Sequence, residues 1–199
     1  MEVEQRCYWR CPECLATFLQ PDQRPDRQAE KTEYDRHQNA VDDAGYRAFL
    51  APAADCVCEH LAAGSKILDY GCGPGPALAT MLREFGYRVS LYDPIYRPDT
   101  TVLTGAYDAI TCTEVVEHFH DPAAEFDRLN TLLRPGGWLI VMTRFQTEDA
   151  RFARWHYRRD PTHVVFYRPQ TFGMLGDHMG WAVECRPPQL ALMRKLGSD

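Results

Sequence analysis

The chain has 199 residues, of which 45% are hydrophobic and 25% charged, with a formal net charge of −6. That length suits one domain with a full core and a short appendage, and the acidic balance argues against a general nucleic-acid binder, which needs a basic footprint. No apolar run of about 18 residues is present, so no membrane span is expected, and the polar stretch Met1–Arg10 holds no apolar signal core, so the cytoplasm is the expected compartment.

In chain order, the first feature is a Cys- and aromatic-rich start over residues 1–20. Within it, Arg10-Cys11-Pro12-Glu13-Cys14 after Tyr8-Trp9 looks like one knuckle of a zinc ribbon. A structural zinc needs four ligands, usually from two such pairs. Cys7 has the wrong spacing to help, and Cys56-Val57-Cys58 on a helix points its thiols apart. The eight cysteines therefore read as reduced thiols and the chain as holding no metal. Residues 21–39 are polar and Pro-containing, a linker running into a helix. The expected boundary divides a Cys-containing extension, 1–39, from a domain over 40–199. Residues 40–63 carry Tyr46, Phe49, Leu50, Val57 and Leu61 near a 3.6-residue period. Pro52 should kink or interrupt that helix, and Gly64 should stop it.

From Lys66 the pattern alternates between strand and helix. Ile67–Tyr70 is a strand, Ala77–Phe85 a helix closed by Gly86, and Arg88–Tyr92 a strand ending at Asp93. Tyr107–Cys112 is a strand, and Pro122–Leu133 a helix with Asp121 as its N-cap. Arg134-Pro135-Gly136-Gly137 is a turn into a strand at Trp138–Thr143. Gln170–Met179 is a helix ended by Gly180. Trp181–Arg186 and Leu190–Lys195 form an antiparallel hairpin about Pro187-Pro188. Such alternation predicts an α/β fold, a mostly parallel doubly wound sheet with helices on both faces.

The chemistry starts at Ile67-Leu68-Asp69-Tyr70-Gly71-Cys72-Gly73-Pro74-Gly75. A strand runs into a glycine-rich turn and then a helix, so backbone can approach a ligand closely. Asp93 ends the next strand, twenty residues after Gly73, placed to hold ribose hydroxyls. The turn also fits a dinucleotide. Two details argue otherwise: the spacing is G-x-G-x-G, and Asp69 would meet a pyrophosphate with like charge. A carboxylate there suits a ligand carrying an ammonium and a sulfonium.

Leu68–Gly75, Asp93, the stretch from Tyr107 to His118 that ends in Glu114-Val115-Val116-Glu117-His118, and Leu132-Leu133-Arg134-Pro135-Gly136-Gly137 together resemble the successive motifs of class I S-adenosylmethionine-dependent methyltransferases. The resemblance covers roughly residues 64–145. It implies a Rossmann-like seven-stranded sheet of order 3-2-1-4-5-7-6 with the last strand antiparallel. It implies that S-adenosylmethionine is the cofactor, with Asp69, Gly71, Cys72 and Gly73 at its methionine end and Asp93 on its ribose. Cys112, Thr113 and Glu114 would line it near the methyl group. Relatives of this kind also fold an N-terminal segment over the cofactor, which makes Tyr34, beside His37, a candidate contact. One departure is plain: only about fifteen residues separate Asp93 from the strand at Ala109. Thr101–Leu103 is at most a stub of strand three, and Pro94, Ile95 and Tyr96 are left to wall the adenine.

Methyl transfer needs an aligned acceptor, excluded water and sometimes a proton acceptor. The segment from Arg151 to Tyr167 leaves the carboxyl edge of the sheet, so it should lie over the pocket. It carries Arg151, Arg154, Arg158 and Arg159, aromatic residues, and His156 and His163. Two readings stay open: an acceptor-binding lid with a histidine as base, or a solvated basic turn in which His163 fixes the loop. His118, at the same edge, either acts as a base or orients its loop. The candidate catalytic residues are thus His118, His163 and His156. The expected partner is a small-molecule acceptor, and a homodimer is compatible with this composition. Two rivals are a non-catalytic module that holds the cofactor without turnover, and a nicotinamide-dependent oxidoreductase.

Overall fold

In the computed structural model, which describes residues 1–36 and 40–197, chemistry-bearing loops gather at one end of a six-stranded sheet. In chain order the elements are β1 (Glu2–Val3), β2 (Arg6–Arg10), β3 (Thr17–Leu19), α1 (Arg27–Tyr34), α2 (Ala44–His60), β4 (Lys66–Tyr70), α3 (Ala77–Glu84), β5 (Arg88–Tyr92) and β6 (Tyr107–Thr113). Then follow α4 (Pro122–Leu132), β7 (Leu133–Met142), α5 (Asp149–Phe152), β8 (Val165–Phe166), α6 (Pro169–Met179), β9 (Trp181–Arg186) and β10 (Leu190–Lys195). The central sheet has the order β5-β4-β6-β7-β10-β9. β4 pairs in parallel with β5 and β6, and β6 with β7, while β10 runs antiparallel between β7 and β9. The chain leaves β4 toward one side and returns on the other, so the carboxyl end of β4 is a topological switch point, where such sheets bind ligands.

Strand periodicity divides the core into two layers. Ile67, Ala109, Ile140 and Leu192 pack with Leu50 and Val57 of α2 and Leu78 and Leu82 of α3. Leu68, Ile110, Cys112, Leu139 and Val141 face the other way, against Phe126 and Leu129 of α4 and Phe172 of α6. Ile67, Leu68 and Ile110 are fully buried, each contributing about 1.5–3 kcal/mol by leaving water.

Three expectations change. The third strand of a seven-stranded sheet is replaced by a 3-10 turn, Thr100–Thr104, capped by Asp99. The short stretch after Asp93 is first consumed by a tight turn in which Asp93 and Arg97 exchange backbone hydrogen bonds, leaving too few residues for a crossover helix and a strand. Helix α2 continues through Pro52 without interruption, because Leu50, Ala53, Ala54 and Val57 bury its flank on both sides of the proline. The Arg134–Gly137 turn is drawn into the start of β7 as an irregularity in its pairing with β6.

A second sheet, β1-β2-β3-β8, is antiparallel. It joins the N-terminal hairpin to the loop after α5. Tyr8 and Leu19 enter the same hydrophobic cluster as Leu68 and Ile110, so the extension shares a core with the main sheet. No helix among the described residues is long and apolar enough to cross a membrane.

Candidate active site

A cavity of about 960 Å³ opens at the carboxyl ends of β4, β5 and β6. Its floor is the turn after β4. Gly71 has φ +79°, and a Cβ there would lie 2.4 Å from Cγ2 of Val115, so glycine is required twice, for conformation and for contact. Gly73 has φ +61°, and a Cβ on it would meet nothing within 4 Å; its open side faces the cavity. Its N–H donates to Oδ2 of Asp93 at 3.0 Å, while Oδ1 of Asp93 accepts from the N–H groups of Ile95 and Tyr96 at 2.8 and 2.9 Å. One carboxylate thus binds both strand tips together and still borders the cavity.

Asp69 is buried, with Oδ1 accepting from Thr111 Oγ1 at 3.0 Å. Burial pushes its carboxyl up to about 6, against the opposing Thr111 bond. Cys72 also lines the cavity, and burial, followed by the charges of Asp69 and Asp93, pushes its thiol up to about 12, so it is a neutral wall. Tyr46 and Phe49 of α2 close this side. The Tyr46 hydroxyl is pushed up to about 12 by burial and then by Asp69 and Glu114. The floor therefore presents negative charge and neutral hydrogen-bonding groups, suited to a cationic ligand.

Helix α1 roofs the cavity and is tied down on both sides. Arg27 donates to the Pro94 carbonyl, the Tyr96 hydroxyl to Asp35 at 2.6 Å, and His120 pairs with Glu30 at 2.9 Å. Pro94, Ile95 and Tyr96 line the cavity, joined by Pro25, Asp26 and Arg27. The wall thinned by the missing strand is rebuilt from the start of α1. Tyr34, near the end of that helix, lines the cavity and meets the His118 ring edge-on at 5.3 Å between centroids. His37 lies outside the described residues.

The far end of the cavity is formed by two loops, 113–121 after β6 and 156–163 after α5. His118 Nδ1 lies 3.0 Å from the Thr162 carbonyl, and His163 Nδ1 lies 2.7 Å from the Tyr157 carbonyl. A carbonyl only accepts, so each Nδ1 carries a proton, and in the neutral ring the lone pair is on Nε2. The two rings are 4.8 Å apart. Burial, and then the neighbouring His118, lower the pKa of His163, so it is neutral at pH 7. Glu117 is fully buried; its Oε1 accepts from the Tyr157 hydroxyl, and its Oε2 has no hydrogen-bond partner among the described residues. Glu114 sits at φ +54° and also leaves a buried oxygen, Oε1, without a partner. Burial, and then Glu117, push its carboxyl up to about 9.

Of the residues singled out from sequence, Tyr34, Asp69, Gly71, Cys72, Gly73, Asp93, Pro94, Thr113, Glu114, His118, His156 and His163 all line this one cavity. Cys112 does not. Side chains alternate along β6, so Thr111 and Thr113 turn toward Asp69 and the cavity while Cys112 turns into the opposite core layer, fully buried. The lid expectation separates by residue. His156, Tyr157, Asp160 and His163 border the cavity. Arg158 instead is 1% exposed, bonds Glu4 at 2.7 Å and lies over the Tyr8 ring, anchoring the N-terminal hairpin. Arg151 and Arg154 line a separate shallow pocket beside α5. Cys11 and Cys14 occupy the turn between β2 and β3 as free thiols. Tyr157, one of the aromatics expected over the pocket, does border it, whereas Arg27, Glu30 and Asp160 reach the cavity through loop packing, which leaves no local periodic signal.

A glycine-bent strand tip, flanked by carboxylates at a switch point, defines a nucleoside-binding Rossmann-like fold. The profile of the methyltransferase-domain family matches residues 23–186. The chain belongs to that family, and its fold and motifs are those of class I S-adenosylmethionine-dependent methyltransferases. It is similar to the ubiquinone biosynthesis O-methyltransferase of Chromobacterium violaceum, with 35% identity over 61% of this chain and 66% of that protein. The enzyme of the same name from Xanthomonas oryzae pv. oryzae is 31% identical over 44% of this chain and 46% of that protein. The chain thus spans only about half to two thirds of these relatives. Its fold matches the Burkholderia thailandensis 1,6-didemethyltoxoflavin-N1-methyltransferase, solved with its substrate and S-adenosylhomocysteine, with a TM-score of 0.59 and 17% identity over 99% of this chain and 98% of that one. The magnesium protoporphyrin IX methyltransferase of Synechocystis PCC 6803 matches with a TM-score of 0.53 and 17% identity, over 85% and 92% of the two chains.

Proposed function

We propose that this chain transfers the methyl group of S-adenosylmethionine to a hydroxyl oxygen of a small-molecule acceptor held between loops 113–121 and 156–163. The carrying observation is that one cavity joins the Asp69–Gly73–Asp93 floor to the convergent imidazoles of His118 and His163. The O-methyltransferase names of the relatives support oxygen as the methylated atom.

The residues fit the cofactor. Asp69 offers a buried anion to its ammonium, the open side of Gly73 admits its backbone-like portion, and Asp93 borders the space for its ribose. Pro94, Ile95 and Tyr96 give the adenine an apolar wall under α1. Thr113 and Glu114 flank the passage to the acceptor. When bound, S-adenosylmethionine supplies a methyl group already activated by its sulfonium. The chain's own task is to seat the acceptor, keep water out and dispose of the hydroxyl proton. His118 and His163, with Nδ1–H fixed to backbone, present lone pairs where that hydroxyl arrives. His156, exposed at the mouth, connects the site with solvent.

Calorimetry with the purified chain should show S-adenosylmethionine binding, and hydroxylated aromatics supplied with the cofactor should release S-adenosylhomocysteine. His163→Ala should lower kcat by about 10²-fold while leaving the cofactor Kd within about threefold. Absence of cofactor binding at millimolar concentration would end the proposal.

A further inference from the structure

We infer that the shallow pocket beside α5 holds a carboxylate on an extended arm of the acceptor, gripped by Arg151 and Arg154; this deepens the reading above and rests on it. The pocket has a volume of about 480 Å³. His156 borders both it and the main cavity. A molecule whose hydroxyl lies at His118 and His163 can therefore extend past His156 and place its other end between the two arginines.

The arginines of this region fall into two sets. Arg10 and Arg168 both reach Asp149, Arg10 at 2.6 Å, and Arg158 is buried against Glu4 at 2.7 Å. The fold itself neutralises those three guanidiniums. Arg154, by contrast, makes no side-chain hydrogen bond and no ion pair among the described residues. Arg151 has one acidic neighbour, Glu148 at 3.5 Å, with side chains 74% and 69% exposed. A pair so open to water contributes little and leaves the guanidinium free to turn to a ligand. Glu148 is the only acidic residue on the pocket wall among the described residues. Two guanidiniums against one carboxylate leave a surplus positive charge there, in a chain whose net charge is −6.

Local structure fixes the rest of the wall. The turn that continues α5, closed by the Arg154 N–H on the Arg151 carbonyl at 3.1 Å, places both arginines on the pocket. Phe152 is buried, and the Trp155 ring is held against those of Phe152, Tyr157 and Phe166 at 6.4, 5.1 and 5.8 Å between centroids. A held indole offers contact area to the arm at little entropic cost. It also displaces water beside the guanidiniums, which strengthens their attraction for an anion. A planar carboxylate matches the donor fork of arginine. Anchoring the far end of the acceptor in this way selects which hydroxyl meets the histidines, so Arg151 and Arg154 are specificity-determining residues. The acceptor class that follows is a hydroxylated acid, preferred over its neutral counterpart.

The test uses the full chain loaded with S-adenosylhomocysteine. The probes are hydroxyphenyl alkanoates of increasing chain length, from hydroxyphenylacetate to hydroxyphenylhexanoate, each beside its primary amide, with binding read by calorimetry. At least one acid should bind about tenfold more tightly than its amide. Arg151→Ala and Arg154→Ala should each cut that preference at least about threefold, added salt should reduce it, and Arg154→Lys should keep more of it than Arg154→Ala. Retained S-adenosylmethionine binding shows that the variants are folded. The inference is overturned if acids and amides bind alike, if the preference survives both alanine substitutions, or if no acid binds saturably up to about 1 mM. Those outcomes leave the methyl-transfer reading standing wherever S-adenosylmethionine still binds. A chain that binds the acid through Arg154 yet binds no S-adenosylmethionine would lose the methyl-transfer reading instead.

Discussion

The two ends of the cavity are built by different rules. At the end proposed for the cofactor, four residues of one turn and one residue twenty positions after Gly73 line the cavity: Asp69, Gly71, Cys72, Gly73 and Asp93 are held by adjacent parallel strands whose register is set by the hydrophobic sheet. At the acceptor end, His118 and His163 are 45 positions apart in the chain, and they meet only because Thr162 and Tyr157 offer carbonyls and the N-terminal hairpin buttresses the second loop through Arg158. The first end is a local motif reinforced by strand pairing. The second is a tertiary assembly. A cofactor common to many enzymes can be served by a standard turn, whereas the acceptor has to be read by loops free to differ.

This contrast is sharpest at Gly71. Gly71→Ala places a Cβ 2.4 Å from Val115 Cγ2 at a φ of +79°, so the turn and loop 113–121 must both shift. The expected result is a loss of S-adenosylmethionine affinity of 100-fold or more, measured by calorimetry on protein whose circular dichroism still reports a sheet. Retained affinity would show that the two ends are not coupled through Val115.

A smaller effect is expected at Asp69, with a defined dependence on pH. Its folded pKa of about 6 lies above the ordinary 3.8, so the native state binds the proton more tightly than the unfolded chain. Stability therefore falls as pH rises from about 4 to 6, and ionised Asp69 costs on the order of 1–3 kcal/mol above that range. Asp69→Asn should raise the urea midpoint of the cofactor-free protein at pH 8 and match the parent near pH 4. The same substitution should weaken S-adenosylmethionine about tenfold at pH 8, and parent affinity should decline as pH drops below 6. A carboxylate kept in a position where it destabilises the empty protein is the trade expected of a functional site. Equal urea midpoints at pH 8 would remove this account of Asp69.

The smallest effect is expected at Cys112. Because it faces the α4 and α6 layer, Cys112→Ala should leave the cofactor Kd within twofold. It should cost about 1 kcal/mol of stability from the lost packing, read as a lower urea midpoint. A tenfold change in Kd would place the thiol at the cofactor after all.

Much of this molecule was legible from its residues. The alternation from Lys66 onward, the left-handed Gly180 stop and the hairpin about Pro187-Pro188 all follow from periodicity and local backbone chemistry, and the structure has them where expected. The glycine turn and its two carboxylates were legible because each acts through its own backbone and its nearest strand. The Cys112 expectation failed over a one-residue alternation: the motif marks the strand end, and only the pleat decides which face a side chain takes. The missing third strand was signalled by chain length, but the replacement of its wall by Arg27 and its neighbours was not. The arginines after α5 looked alike in sequence, and packing sent Arg158 to Glu4 and Tyr8 while Arg151 and Arg154 stayed outside.

The sequence by itself determined the alternation of strands and helices from Lys66 onward and the glycine-bent turn at Gly71, because those depend on hydrogen bonds and steric limits within a few residues. Only the tertiary structure decided that Glu117, His118 and His163 would turn their unused atoms toward one another. That convergence depends on which carbonyls, hydroxyls and apolar side chains close around three residues drawn from two loops, and no span of neighbouring residues encodes it.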